Sequence, residues 1–427
     1  MTVMIIPTPD RIIRHLFNKT SKGIQFGLER ILLAARRIGD PQNAFSSIHV
    51  AGTNGKGSTC AYIESIVRAH GYTTGLFTSP HIARFEERFI INGRPVHESK
   101  WVDVYSDLSS IIEEYNLTFF EAVTLISFEL FKREKVHWGV FETGMGGRLD
   151  ATNILVPKVA AICAIDMDHR QYLGADLVSI AREKLGIVKE NVPLIMTKPP
   201  QPEIEALARA HCASLRVSCA MVSNEDSGAC ATNGNGSGFT RNGRKFVTNL
   251  HGSYQIQNAM LALATAEAAG FSDPVALAEG ISRTFVPGRF QIVKLHNRLA
   301  VFDVGHNPQA AGAFARTVRH HFDGLSVCIV AGIMNDKDID GILQMYCSVA
   351  SKIICAQPKT DRAAPAGQIA SKIPPSFKGV CEIIPEVGKA VAAALSGKEK
   401  VVCVTGSFFT VGEAMIALGI EPYGIYR

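Results

Sequence analysis

Ser46-Ser-Ile-His-Val-Ala-Gly-Thr-Asn-Gly-Lys-Gly-Ser-Thr59 reads as a strand over Ser47–Ala51, a glycine-rich turn and a helix start. Gly52, Gly55 and Gly57 let the backbone approach phosphate groups and turn its N–H groups toward them. A helix expected over Ser58–His70 adds the positive end of its dipole. Thr53 and Asn54 complete the loop. Lys56 can reach the β- and γ-phosphates, and Ser58 or Thr59 can face a metal ion. The spacing departs from the standard phosphate loop. Val50 stands at the first glycine position, and Gly57 separates Lys56 from Ser58.

Outward from this loop, short apolar runs alternate with helix-period stretches. Strands are expected at Thr74–Phe77, Val136–Glu142, Val159–Ile165 and Pro193–Met196, with helices at Phe120–Arg133 and Asp176–Val188. That alternation predicts an α/β fold with a mostly parallel sheet. Ser223–Arg244 is rich in Gly, Asn and Ser, and reads as a solvated insertion or long hairpin region. A second strand–helix series follows, with strands at Leu299–Asp303, Ser326–Ala331, Lys352–Ala356 and Val401–Thr405. Between the two series, Phe285-Val-Pro-Gly-Arg289 reads as a linker.

The 427 residues leave room for two or three domains, and 47% apolar with 19% charged residues is an ordinary globular balance. The net charge of +5 comes from scattered Lys and Arg, so nucleic acid is not the expected partner. An anionic small substrate fits as well. The ten cysteines include no CxxC pair, which argues against a zinc site and for a reducing compartment. No window approaches the ~18 unbroken apolar residues of a membrane helix, and Met1–Arg14 lacks the features of a signal peptide. A cytoplasmic protein is expected.

Open α/β sheets bind ligands beyond the carboxyl ends of their strands. Ser79 follows the Thr74–Phe77 strand, Glu142 ends the next, and His169 follows the Val159–Ile165 strand. Together they could hold a Mg²⁺ beside phosphate oxygens, although histidine is an uncommon ligand for that ion. Lys184 falls on the apolar stripe Leu177, Ile180, Ala181 and Val188 of a helix that Asp176 caps. It therefore points inward, where burial lowers its pKa and frees the amine as a nucleophile, including toward CO₂.

These residues resemble the folylpolyglutamate synthase family of the Mur ligase superfamily, most closely the bacterial bifunctional dihydrofolate synthase/folylpolyglutamate synthases. The resemblance covers nearly the whole chain and rests on ordered markers. They are Gly52–Gly57, Thr78-Ser-Pro-His81, Glu142–Asn153, Asp168-His169, Glu183-Lys-Leu-Gly-Ile187, Pro287-Gly-Arg289, Asp303-Val-Gly-His-Asn-Pro308, Asp336-Lys-Asp338 and Gly406-Ser407. It implies a phosphate-loop ATPase domain over residues 1–286, carrying the pteroate or folate site. A smaller Rossmann-like glutamate-ligase domain follows over 287–427. It further implies that Lys56 and its loop bind ATP, with Asn258, Arg289 and Asp303 on the nucleotide. Ser79, Glu142 and His169 would be metal ligands, and Lys184 would become a carbamate that holds a second cation. His306 would stand near the phosphate and glutamate. Pteroate contacts would come from Ile24, Gln25, Phe26 and Gly27, from Thr118, Phe119, Phe120 and Glu121, and from Leu149, Asp150 and Ala151. Gln25, Tyr254 and Val304-Gly305 depart from the family's usual residues.

The resemblance implies an ATP- and Mg²⁺-dependent monomer that joins L-glutamate to dihydropteroate and/or tetrahydrofolate through an acyl phosphate. Two rivals remain. A ligase of UDP-muramyl peptides would need a further domain for which Met1–Ser47 leaves little room. A nucleotide hydrolase or switch that ligates nothing would leave Lys184 and the Asp303–Pro308 cluster without a purpose.

Overall fold

The computed structural model describes residues 8–19, 27–223, 228, 231–233, 236–295 and 297–424. Its largest sheet is built from β1 (Ser46–Ala51), β2 (Thr74–Phe77), β3 (Phe89–Ile91), β4 (Arg94–Pro95), β5 (Trp138–Glu142), β6 (Val159–Ile162), β7 (Leu194–Thr197) and β8 (Cys219–Val222). The spatial order is β4-β3-β2-β5-β1-β6-β7-β8, parallel except at β2–β3 and β3–β4. Phe77 pairs with Phe141, Val50 with Glu142, and Ala51 with Ile162. The carboxyl ends of β2, β5, β1 and β6 therefore share one edge.

Alternation along the strands divides the core between the two faces of this sheet. Leu76 and Val140 pack with Tyr62 and Leu261 on one face, while Phe77 and Phe141 pack with Trp101 and Phe128 on the other. Both faces are covered by helices, so the central strands read as continuous apolar runs.

A second sheet contains β9 (Ala231–Asn233), β10 (Gly236–Arg241) and β11 (Arg244–Thr248). Of the two alternatives for the Gly-, Asn- and Ser-rich stretch, the hairpin holds: β10 and β11 pair antiparallel across a tight turn. Phe239 and Phe246 face each other across β10 and β11, stack at 5.4 Å and join the first core. Two well-placed aromatic rings anchor an otherwise polar segment.

The third sheet contains β12 (Gln291–Leu295), β13 (Arg298–Asp303), β14 (Val327–Ala331), β15 (Lys352–Cys355), β16 (Val380–Ile383) and β17 (Val401–Thr405). Its order is β12-β13-β17-β14-β15-β16, antiparallel only at β12–β13. The same alternation operates: Ile329 and Cys403 face one core, Val330 and Val404 the other.

Several expected boundaries move by a residue or more, three of them around the phosphate loop and Lys184. The helix after the phosphate loop begins at Lys56, two residues early, with Gly55 in a left-handed conformation before it. β6 stops at Ile162 because Ala164 bridges to Asn54 in that loop. The helix carrying Lys184 spans Leu177–Leu185, so Val188 lies beyond it, though still buried. Asp176 caps it as expected, accepting from Ser179 N at 2.7 Å. The described cysteines are free thiols. Among the described residues no helix is long and apolar enough to cross a membrane.

Candidate active site

The phosphate loop is folded by contacts that admit only glycine at two points. Gly52 has φ +151°, and a Cβ there would lie 2.7 Å from Cys163 Cβ. Gly55 has φ +91°, and its Cβ would lie 2.3 Å from Asn258 Oδ1. Thr53 locks the loop to the chain after β6. Its N–H donates to Ala164 O at 2.8 Å, and its hydroxyl donates to Asp166 O at 3.0 Å. Lys56 Nζ curls back to Thr53 O at 3.3 Å. Asn258 and Ser58 are joined through Gln255, which accepts from Asn258 Nδ2 at 3.0 Å and donates to Ser58 Oγ at 3.3 Å.

Glu142 is 4% exposed. Its Oε2 accepts from the Thr78 hydroxyl and from Ser79 N at 3.1 Å. The helix start presses against it, since a Cβ on Gly57 would lie 3.4 Å from Oε2. The β2–β5 register thus brings Ser79 and Glu142 together beside the phosphate loop.

Lys184 does point inward. It is 2% exposed, and Nζ donates to Gly52 O at 2.9 Å, under the loop. Burial, and then the neighbouring Lys56 charge, lower its pKa to about 7. A substantial fraction is therefore the neutral, nucleophilic amine near neutrality.

Asp168 lies where the two large sheets meet. Lys337 Nζ donates to it at 2.7 Å, and the Nε2 atoms of His169 and His306 each lie 3.9 Å away. Burial alone would raise its pKa, but His169 and Lys337 more than offset this and hold it below the carboxylate range. Burial lowers both histidines to about 4, so each ring is neutral and has a lone pair. His169 itself adopts a left-handed φ of +51°.

The second half of the chain also reaches the phosphate loop. Asn307 Nδ2 donates to Asn54 Oδ1 at 2.9 Å, and Asn54 Nδ2 donates to Gln309. Asp303 accepts from Phe290 N at 3.0 Å and Gly305 N at 2.9 Å, which fixes its carboxylate. Burial raises its pKa, with Arg289 opposing. The Arg289 guanidinium lies 5.5 Å from the Phe408 ring centre.

A cleft of about 720 Å³ opens between the two parts. Gly27, Thr118–Glu121 and Leu149–Ala151 line it, together with Ser79, His169 and, from the other side, His306. Ile24, Gln25 and Phe26 lie outside the described residues. Thr118 and Glu121 form a capping box, with Glu121 Oε2 accepting from Thr118 N at 2.8 Å. This starts the helix Phe119–Arg133 at the cleft wall and leaves Phe119 and Phe120 half-buried there. Asp150 is buried and accepts from Met145 N at 2.9 Å and Thr152 N at 3.1 Å, which fixes the Leu149–Ala151 segment.

Among the described residues, no three His, Cys, Asp or Glu side chains converge closely enough to hold a cation alone. A divalent ion here would need oxygen from Ser79 and from phosphates as well as Glu142, which suits Mg²⁺. The glycine-rich loop at a helix start and the adjacent acid fit a metal–nucleotide pair.

Reading the sequence left out Asp168 as the bridge between the two parts, and it left out Lys337 and Arg88. Asp168 and Lys337 sit inside the markers Asp168-His169 and Asp336-Lys-Asp338. Nothing in one dimension says that those segments meet. Arg88, just before β3, carries no local signal at all.

A parallel-sheet phosphate loop joined across a cleft to a second α/β unit is the arrangement of a Mur-type ATP-dependent amide ligase. The Mur ligase middle domain matches residues 50–266, and the Mur ligase glutamate ligase domain matches residues 288–408. The chain is 34% identical over 422 residues to the dihydrofolate synthase/folylpolyglutamate synthase of Escherichia coli K12, covering 96% of this chain and 95% of that protein. A Mycobacterium tuberculosis folylpolyglutamate synthase structure, complexed with ADP and AMPPCP, superposes with TM-score 0.89 at 28% identity, covering 96% of this chain and 98% of that one. The bifunctional folylpolyglutamate synthase/dihydrofolate synthase of Yersinia pestis, complexed with AMPPNP and a Mn ion, gives TM-score 0.84 at 31% identity, covering 96% and 98%. The chain belongs to the dihydrofolate synthase/folylpolyglutamate synthase family. It is an ATP-dependent acid–amino-acid ligase that adds L-glutamate in folate metabolism.

Proposed function

We propose that one cleft takes either dihydropteroate or tetrahydrofolate and that the chain performs both glutamate additions. The observation carrying this reading is the cleft itself, which gathers Thr118–Glu121 and Leu149–Ala151 with Ser79, His169 and His306. Half-buried Phe120 offers ring surface for a pteridine or aminobenzoyl group, with the edge of Phe119, whose ring is stacked on Phe17, beside it. We divide the chain at 286/287, between the two families' matched segments. The protein is taken as a cytoplasmic monomer.

ATP lies on Gly52–Ser58, with Lys56 on its terminal phosphates and Asn258, Arg289 and Asp303 around the nucleoside. Ser79, Glu142 and His169 hold one Mg²⁺, and Lys184, as a carbamate, holds a second. The metal ions supply charge neutralisation at the phosphate oxygens. The acid substrate's carboxylate attacks the γ-phosphorus, releasing ADP and forming an acyl phosphate. The glutamate amine adds to the acyl carbon, and phosphate leaves from the tetrahedral adduct. Lys56 and the loop amides stabilise the transferring phosphoryl group. His306, neutral and at the cleft's far wall, lies beside the incoming glutamate. The Asn54–Asn307 bond supports closure of the two parts over the acyl phosphate, which excludes water.

The test is a purified-enzyme assay with ATP, L-glutamate and either dihydropteroate or tetrahydrofolate, with products resolved by mass. Both products are expected, and phosphate release should require both co-substrates. ATP turnover without them would reject the reading.

Glu142→Gln removes one charged oxygen from the metal shell while keeping its shape. Turnover should fall about 10- to 100-fold, and half-saturation should move to higher Mg²⁺. An unchanged Mg²⁺ titration would take Glu142 out of that shell.

A further inference from the structure

Arg88 is 4% exposed and lines the cleft. Its Nε donates to His81 Nδ1 at 2.9 Å. Its guanidinium lies 5.2 Å from the Phe119 ring centre and 5.8 Å from that of Phe85. Among the described residues Nη1 and Nη2 have no hydrogen-bond partner, and no carboxylate forms an ion pair with this side chain.

The surrounding acids are committed elsewhere. Glu87 accepts from Ile82 N at 2.8 Å, Ala83 N at 2.9 Å and Arg84 N at 2.7 Å. Glu142 is held by Thr78 and Ser79, and Glu121 by Thr118 N and Arg30 Nε. Burial lowers the Arg88 pKa to about 10, opposed by Glu87 and Glu142. The guanidinium thus remains a cation at neutral pH, lining the cleft with no carboxylate in direct contact. Such a charge is costly unless a partner arrives.

The cleft supplies the place for that partner. A guanidinium fork is shaped for a two-oxygen anion, and its place over the Phe119 ring holds it beside the cleft. Phe119 also borders the apolar part of the cleft, so an acid whose ring lay there would carry its carboxylate toward Arg88. Ser79, which bonds Glu142 beside the phosphate loop, lines the same cleft as Arg88.

We propose that Arg88 receives the reacting carboxylate of the acid substrate and holds it for attack on the γ-phosphorus. This rests on the reading of the cleft as a pteroate or folate site.

The test compares dihydropteroate with its analogue lacking the carboxylate, in wild type, Arg88→Gln and Arg88→Lys, each saturated with a non-hydrolysable ATP analogue. Wild type should prefer the acid. Arg88→Gln should weaken the acid about 10- to 100-fold while leaving the carboxylate-free analogue and the nucleotide unchanged. Arg88→Lys, which keeps the charge, should retain part of the preference and guards against a folding defect. Equal weakening of acid and analogue would overturn the proposal, leaving Arg88 as a wall of the cleft. Weakened nucleotide binding alone would overturn it in favour of a phosphate partner. A wild-type enzyme that binds neither compound would overturn the cleft assignment itself.

Discussion

Lys184→Ala is expected to be nearly inactive, with at least ~10²-fold loss of turnover, and to recover in part when a short-chain carboxylic acid is added. The amine is buried beneath the phosphate loop, bonded to Gly52 O and lowered to about 7 by burial. A neutral amine there can add to CO₂, which converts a cation crowded by Lys56 into an anion. Truncation to alanine removes that anion and leaves a space that a small carboxylate can enter. Lys184→Arg should not respond, because a bulky permanent cation still fills the place. Full activity in Lys184→Ala would reject the carbamate. So would a high-resolution map of the wild-type crystal, grown with bicarbonate, that shows an unmodified ammonium.

Lys56→Ala should lose on the order of 10²–10³-fold in turnover with its fold intact. The side chain is half-buried and makes one 3.3 Å bond to Thr53 O, so little packing is removed. The loop is held by Gly52, Gly55 and Thr53, which the substitution leaves in place. Circular dichroism and melting temperature should match wild type, while steady-state ligation collapses. Near-normal turnover would remove Lys56 from phosphate binding.

The local devices of this site were readable from residue order. A strand, a glycine-rich turn and a helix are adjacent in sequence, so Ser47–Thr59 contains the whole phosphate loop. Asp176 and the spacing of Ile180, Ala181 and Lys184 were enough to turn the lysine inward, because a helix makes facing from spacing alone. Of the boundary shifts, one has a local cause and one a distant one. Gly55 accepts a left-handed conformation and starts the helix at Lys56, and the Asn54–Ala164 bridge ends β6 early. Neither is a matter of propensity. The polar stretch before Lys245 could be read as a hairpin, but its register, set by Phe239 opposite Phe246, is visible only across the turn.

Sequence by itself determined the α/β class, the phosphate loop, the inward Lys184 and the family. All of these depend on neighbours within a few turns or on the order of motifs. Tertiary structure alone decided how Asp168 meets Lys337 and His306, how Asn307 reaches Asn54, and that Arg88 lies in the cleft without a counter-ion. The partners in those contacts are far apart along the chain and are joined by strand register and by the docking of one sheet beside another. A buried charge is defined by what surrounds it, and no run of neighbouring residues states those surroundings.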